Sequence, residues 1–559
     1  MKSIFTICFV LFIATILSAQ TPVVPTGSGT ENDPYQIATL DNLYWMSITS
    51  SSWDKYFEQT NDINANFTSA WNSGAGWDPI GYVNSEADYL AFTGSYDGGG
   101  FLIENIYINR PTEMALGFFA IIENANISNM LIADIWIAGN EFVGSLTGFN
   151  FSSEITNCHA INGEIEGVND IGGLVGRNES GNEYIYSCTF SGAITSSGEN
   201  IGGLIGKNKG TVRKCFADAD ISGIRNLGCL IGENDGSTDK SNGTVDSCYT
   251  TGQITFSVPD NSGSAGGLIG QSKENTVISY CYSNATINGE SISQNLGGLI
   301  GLSDNTTTVS YCFAEGNVTG GGSLGGLVGQ NSYSNINNCY ARGNVSGTQN
   351  NVGGVVGRNT GSVEKSYSTG VITSSGGCYG GLLGSNEDSG SASLCFWDTE
   401  TSSVGIGCGW NGGGSVDITG KTSLEMKTLA TYTNAGWDFY GETTNGNDDN
   451  WHISSVINNG YPCFKWYTDI VGVEENIAIN DGFSVFPNPS SNFVTISNNT
   501  DLFENVNIVI YTISGEKVFS EELVSIVSNI DVRHLSNGIY ILEINSSSFS
   551  KRQKIIVQK

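Results

Sequence analysis

Ile171-Gly-Gly-Leu-Val-Gly176 returns as Ile201-Gly-Gly-Leu-Ile-Gly206, Leu227-Gly-Cys-Leu-Ile-Gly232 and Ala265-Gly-Gly-Leu-Ile-Gly270. It returns again as Leu296-Gly-Gly-Leu-Ile-Gly301, Leu324-Gly-Gly-Leu-Val-Gly329, Val352-Gly-Gly-Val-Val-Gly357 and Tyr379-Gly-Gly-Leu-Leu-Gly384. A degenerate copy, Val143-Gly-Ser-Leu-Thr-Gly148, precedes them. The period is about 26 to 31 residues. One longer step, Gly228 to Gly266, holds Asp235 to Asn242, which reads as a loop insertion.

Each unit keeps one internal order. A polar turn follows the glycines, then a short strand ending in Cys-aromatic, then an alternating segment such as Ala219-Asp-Ile-Ser-Gly223. Thr211-Val-Arg-Lys-Cys-Phe216 thus corresponds to Val277-Ile-Ser-Tyr-Cys-Tyr282, Val309-Ser-Tyr-Cys-Phe313 and Ile336-Asn-Asn-Cys-Tyr340. These pieces are short, bounded by Gly, Asn and Ser, and carry no helical period. Three short strands per unit suit one coil of a parallel β-solenoid; a propeller blade needs four and more length. A single coil cannot bury its own apolar face, so its neighbours must do so, at ~4.8 Å per coil. Nine coils would span roughly 40 Å. Leu174, Leu204, Leu268, Leu299 and Leu327 are expected to superpose as an inward ladder, each worth about 1.5–3 kcal/mol on full burial. The paired glycines imply either close backbone approach or a positive φ.

The Gly-Gly-Leu-apolar-Gly units resemble GLUG repeats, found in bacterial surface and secreted proteins, over about residues 140 to 385. The flanks fit that resemblance. Gly27-Ser-Gly-Thr-Glu-Asn-Asp-Pro-Tyr35 with Leu43-Tyr-Trp-Met46 resembles the lead-in of such proteins. Phe92 to Phe101, Ile106-Tyr-Ile108 and Leu116-Gly-Phe-Phe119 resemble their first, less regular coils. At the other end, Phe486-Pro487-Asn488-Pro489, Phe493-Val-Thr-Ile496, Val506 to Gly515, Leu535-Ser-Asn-Gly538-Ile-Tyr-Ile541 and a terminal Lys559 closely resemble the type A C-terminal sorting domain of the type IX secretion system. The pattern alone supports only a small antiparallel β domain. The resemblance implies an immunoglobulin-like sandwich, passage through periplasm and outer membrane with the type IX machinery as partner, and removal of this domain.

The expected architecture is therefore all-β: a right-handed parallel β-solenoid followed by a small immunoglobulin-like β-sandwich. Its divisions are a signal peptide at 1–19, an N-terminal cap with irregular coils at 20–139, and the solenoid at 140–395. A Trp-rich C-terminal cap follows at 396–467, then a linker at 468–481 and the sorting domain at 482–559. The signal peptide is read from Lys2, the apolar run Ile4 to Ile16, and Leu17-Ser-Ala19, with cleavage between Ala19 and Gln20. The run is shorter than the ~20 residues of a membrane span, and no later stretch is long enough. Gln20 in place of Cys argues against a lipid anchor there.

The net charge of −32, from 55 acidic and 23 basic residues, disfavours nucleic acid and anionic membranes as partners. Of 13 cysteines, Cys8 belongs to the signal peptide. Cys158, Cys188, Cys215, Cys248, Cys281, Cys312, Cys339 and Cys395 share one repeat position, with Ser366 in one copy. That register favours a buried thiol ladder, with bridges between adjacent rungs as the alternative.

Little points to catalysis. His159, His452 and His534 form no His-Glu-x-x-His, so the zinc peptidase found beside GLUG repeats in some bacterial IgA-cleaving proteins is absent. Asp218, Asp220, Glu233, Asp235, Glu387 and Asp388 read as scattered solvated charges rather than a convergent acid pair. No catalytic, cofactor or metal residue is assigned. Calcium at Asn447-Asp-Asp-Asn450 or Asp235 to Asn242 is a weak option without EF-hand spacing. Trp397, Trp410, Trp437, Trp451 and Trp466 read as an aromatic cap over the last coil, or a sugar-stacking patch. The expected role is a secreted or surface-displayed adhesive or structural stalk, its ligand a surface, glycan or protein of unknown identity. A carbohydrate-active β-helix enzyme is the alternative, and a carbohydrate-binding protein a third.

Overall fold

The computed structural model describes residues 21–85, 88–179, 184–237, 243–257, 263–455, 457–467, 483–486, 490, 493–498, 506–512, 517–523, 527–536, 538–545 and 550–557. The signal peptide with Ala19 and Gln20, the linker 468–481, the sorting-domain residues Pro487, Asn488, Pro489, Gly515 and Lys559, and the tip of the insertion at 238–242 lie outside them.

One coil serves for all. Thr211–Arg213, Phe216–Gly223, Arg225–Gly228 and Ile231–Asp235 are strands joined by tight turns. Each pairs in parallel with its counterpart one repeat later: Val212 with Val245, Ile221 with Ile254, Leu227 with Ala265 and Ile231 with Ile269. Repetition builds three parallel sheets, of thirty-one, nine and eleven strands. The first-strand ladder runs from Tyr35–Ile37 to Val416–Lys421. The eleven-stranded sheet is longer than the nine copies expected and spans roughly 50 Å at the usual strand spacing. It begins at Phe119–Glu123 and ends at Cys408–Asn411. The last strand belongs to a copy hidden from the Gly-Gly-Leu pattern, Gly405-Ile-Gly-Cys-Gly409. Register identifies it: Leu383 pairs with Cys408 and Asn386 with Asn411.

Each coil bends sharply just before its cysteine, or before Ser366 in the copy that lacks one. Asn157, Ser187, Lys214, Ser247, Tyr280, Tyr311, Asn338, Lys365 and Leu394 all have φ between 44 and 56°. That conformation costs each residue a little, and the hydrogen bonds of the stack hold it in place.

The leucine ladder forms as the register requires. Leu174, Leu204, Leu268, Leu299 and Leu327 are fully buried, and Leu204 N–H donates to Leu230 O at 2.9 Å. The paired glycines serve close approach: none has a positive φ. A Cβ on Gly202 would strike the carbonyl of Ile205, and one on Gly206 the backbone of Asp170 and Ile171. The second glycine of the pair is less constrained, since Ser145 and Cys229 stand at its position.

A second ladder lies inside the eleven-stranded sheet. Buried Asn150, Asn178, Asn208 and Asn234 pass side-chain amide to side-chain carbonyl at 2.7 to 2.8 Å. Asn331, Asn359, Asn386 and Asn411 repeat the chain at 2.8 to 3.1 Å. Ser272 and Ser303 separate the two runs. Within each run the asparagine of one coil satisfies that of the next; Ser303 Oγ and Asn331 Oδ1, where the second run begins, are buried without a partner.

The N-terminal end is closed by the helix Leu40–Ile48, whose Thr39 cap and Asn42 form a capping box. Leu43, Met46, Trp71 and Trp77 join the solenoid core. Beyond Tyr467, two small antiparallel sheets of three and four strands share one core that includes Val494, Ile510, Ile530, Leu542 and Ile555. Gly538 opens the strand Gly538–Asn545 in the larger sheet.

Candidate functional site

The residue after each cysteine builds an aromatic column on one flank. Phe216, Tyr249, Tyr282, Phe313, Tyr340 and Tyr367 stack ring on ring, with centroids 4.5 to 5.1 Å apart and planes within 1 to 29°. Stacking turns the ring faces toward one another, so the column offers edges sideways rather than the faces a sugar stacks on.

The Trp-rich stretch covers this column instead of the last coil. Short helices Ser423–Met426 and Leu429–Thr433 lead into the antiparallel pair Trp451–His452 and Cys463–Phe464. Going back up the stack, Trp437 and Tyr432 pack on Phe396, Trp451 on Tyr367 and Tyr340, and Phe464 on Tyr340 and Phe313. Tyr467 reaches Phe313 and Tyr282 at 5.0 and 5.7 Å. The reason is area: an exposed aromatic column gives a Trp-rich segment more apolar surface to bury than the glycine-rich end of the stack. Polar ties fix the strap. Buried Asp398 accepts Tyr461 and Ser423 hydroxyls at 2.7 Å each, and Trp451 Nε1 donates to Asn338. Burial works to raise the Asp398 carboxyl, but the two hydroxyls and the Thr401 and Glu400 amides carry it below its ordinary value.

This placement settles the five tryptophans. Trp397, Trp437 and Trp451 are buried and Trp466 is half-buried. Trp410, on the last strand, is 49% exposed and is the one aromatic of the five placed to meet a ligand.

The cysteines stack as the repeat register places them. Cys158, Cys188, Cys215, Cys248, Cys281, Cys312, Cys339 and Cys395 are buried free thiols. Backbone N–H groups of Cys188, Cys215, Cys248 and Cys281 each point at the next rung's Sγ, 3.4 to 3.5 Å away; Ser366 Oγ takes the same role for Cys339. Burial pushes the thiols of Cys188, Cys215, Cys248, Cys281 and Cys339 well above their ordinary value. Cys378 and Cys408, at the far end, are only half-buried.

Charges do converge in one place, which sequence reasoning read as scattered. Arg177, Lys207 and Glu233 follow one another in register across three coils. Lys207 and Lys273 hold buried Glu233 at 2.8 and 3.1 Å; Lys273 lies 3.9 Å from Asp235. Arg177 and Lys209 share Glu179, and Arg177 also faces buried Asp170 at 3.8 Å. Burial pushes the Asp170 carboxyl up, against Asn200 and Arg177. Asp235 moves the other way: burial opposes the shift, but Ser237 and Lys273 bring it down. Every carboxylate of this cluster has a cation beside it. The remaining acids lie apart: Asp218 accepts from Thr251, and Glu387 is held by Arg358.

His159 is buried between Thr189 Oγ1 at 2.9 Å and Asn157 Oδ1 at 3.1 Å, and burial lowers it to about 4. His452 lies by Tyr440 and His534 by Phe519, on separate parts of the chain. An open depression of about 410 Å³ between the last coil and Leu429–Thr433 is lined by Phe396, Asp417, Lys421 and Asn434, among others. Among the described residues no group of three or more His, Cys, Asp or Glu is placed to hold a metal, and no helix is long and apolar enough to cross a membrane.

Comparison with known proteins agrees with this anatomy. The secretion system C-terminal sorting domain matches residues 484–558, and the GLUG motif matches 292–319, 320–346 and 348–373. The chain therefore carries GLUG repeats and a type IX sorting domain, which marks export to the cell surface or beyond. Halomucin of Haloquadratum walsbyi is 34% identical over 159 residues, 28% of this chain and 2% of halomucin. An immunoglobulin A1 protease of Streptococcus sanguinis is 27% identical over 201 residues, 35% of this chain and 9% of that protein. The chain thus spans only a small part of these curated relatives. Among solved structures, a candidate immunoglobulin A1 protease of Bacteroides ovatus aligns over 79% of this chain and 94% of its own, at 15% identity and a TM-score of 0.29.

Proposed function

From a chain that carries GLUG repeats and a type IX sorting domain, we propose an exported rod that serves as an adhesive or structural stalk, its surface rather than a pocket meeting the ligand. The observation behind this reading is the unbroken parallel ladder from Tyr35 to Lys421, in which each coil satisfies the next and leaves long, stiff flanks. The winding is taken as right-handed, the hand of parallel β crossovers, and the sorting domain as an immunoglobulin-like sandwich. Its ligand would be a surface glycan or protein. Binding of the purified chain to cells and matrix should exceed that of an unrelated protein of similar negative charge. Equal binding would overturn the proposal.

One observation favours a second reading. Carboxylates converging with Arg and Lys around Glu233 are what a polysaccharide-cleaving β-helix would present. Release of reducing ends from a panel of acidic and neutral polysaccharides, lost on Glu233→Gln, would move the protein into that class. Passive glycan binding would depend on Trp410, so Trp410→Ala is its test; Trp451→Ala would report on packing. The streptococcal relative's protease name carries little weight here, since this chain has three histidines and no His-Glu-x-x-His. No cofactor is proposed. A calcium dependence would be sought at the Asp438–Asp449 loop, where one oxygen of each carboxylate is buried without a hydrogen bond, by melting with and without chelator.

A further inference from the structure

Side chains alternate along a strand, so in Leu131–Ala133 the core residue Ile132 faces inward while Leu131 and Ala133 face outward. Both are nevertheless buried, as is Ile161, which pairs with Ala133 one coil later. The three form a small apolar cluster separate from the rod's core, with Leu102 beside Leu131 in the coil before. Coils stack above and below one another and leave an outward face open. The cover here is Phe493, from the C-terminal sheets.

Phe493 opens the strand Phe493–Asn498 and pairs with Asp531. Its neighbour Val494 is fully buried in the C-terminal core, so Phe493 points away from that core. Arg533 completes the contact. Its guanidinium lies 4.8 Å from the Phe493 ring centroid and 5.1 Å from that of Phe101, the residue before Leu102. Asp531 holds it in place, accepting from Nη2 at 3.1 Å and Nε at 3.2 Å. One cation thus spans an aromatic ring of the first coils and one of the C-terminal sheets.

Reach favours contact within one chain. Tyr467 lies against Tyr282. From Tyr282 the register steps through Tyr249, Phe216, Thr189 and His159 to Leu131, five coils or roughly 24 Å. The fifteen residues between Tyr467 and Phe483 can span up to ~50 Å. So short a tether keeps the C-terminal domain concentrated beside its own flank.

We propose that the outward face of Leu102, Leu131, Ala133 and Ile161 is a docking surface for the chain's own C-terminal domain, with Phe493 as plug and Arg533 as clasp. The seated domain shields this apolar patch, and its departure bares it. The inference stands whatever the rod binds.

The test uses the full chain as wild type, Phe493→Asp, Arg533→Gln and Leu131→Asp, with matching circular dichroism melts as evidence of an intact fold. Small-angle scattering reads the seating of the domain, and the fluorescence of anilinonaphthalene sulfonate, an apolar dye, reads the bared patch. Phe493→Asp should raise the radius of gyration and increase dye fluorescence at least about twofold. Arg533→Gln should move both in the same direction by less. Leu131→Asp should raise the radius as Phe493→Asp does but leave the dye at the wild-type level, because the patch itself is lost. An unchanged radius in all three variants overturns the docking. A larger radius in Phe493→Asp with no gain in dye overturns the shielding. A wild-type mass that grows with protein concentration and falls back to one chain in Phe493→Asp seats the domain on another copy, and overturns the contact within one chain.

Discussion

Columns are the residue-scale lesson of this fold. A position read once in the sequence is read in every coil, which is why the leucines and cysteines were legible from spacing alone. The asparagine ladder was missed although its signal was present: Val175-Gly-Arg-Asn178, Ile205-Gly-Lys-Asn208 and Val356-Gly-Arg-Asn359 repeat it. What register cannot give is a lateral neighbour such as Asp170 beside Arg177, since that depends on how sharply each corner turns. Two predictions belong here. The twelve described cysteines are free, so Ellman titration of the exported chain should find twelve thiols on denaturation, with Cys378 and Cys408 alone reacting quickly when folded. Few thiols in the denatured, unreduced chain would mean that adjacent rungs are bridged. His159 gives a pH dependence. Its folded pKa, about 4, lies below the ordinary 6.5 of a histidine, so the unfolded chain binds the proton first and stability falls as pH drops from 6.5 toward 4. The loss should approach roughly 3 kcal/mol. His159→Thr, which copies Thr189 of the next coil, should remove it. Urea unfolding of both proteins at neutral and mildly acidic pH checks this, and the difference between them cancels carboxylates such as Asp170, whose raised pKa works with the opposite sign.

Elements were legible wherever they repeated. The strap was not, because nothing in the run Phe396 to Tyr467 says whether its tryptophans cover an end or a side. The answer lay in the aromatic after each cysteine, which stacks into a column only once coils are in register. The last coil escaped for a similar reason: Gly407 stands where Leu382 stood one coil earlier. Trp451 is the strap's anchor, packed against Trp437 at 4.8 Å and Phe464 at 4.5 Å. Trp451→Ala should cost the strap about 3–5 kcal/mol of local stability. Limited proteolysis should then cut within residues 422–467 while the β-sheet circular dichroism melt barely moves. A melt that collapses with the strap would show that the coils depend on it.

At the scale of the molecule, stability is a sum over neighbours, and the stack tolerates whole-period changes better than fractions of one. Deleting residues 201–226 joins Asn200 to Leu227, which pairs in register with Ile201 and so takes its place. The shortened chain should fold, with a rod shorter by ~4.8 Å in small-angle scattering. Deleting half that length should abolish the cooperative melt, because it puts core and surface positions in one column. The all-β solenoid and the export signal were readable as wholes, the first from periodicity and the second from the C-terminal strand series. The strap carries one more consequence. It runs backward from the last coil, and its last described residue, Tyr467, lies against Phe313 and Tyr282, so a pull on Tyr467 from the chain beyond enters the rod at mid-height rather than at its tip. The strap and the aromatic column then slide along each other in shear, many rings loaded at once, while the final coils stay outside the load path. Under tension the rod's weakest geometry, peeling one coil from the next, is the one never pulled.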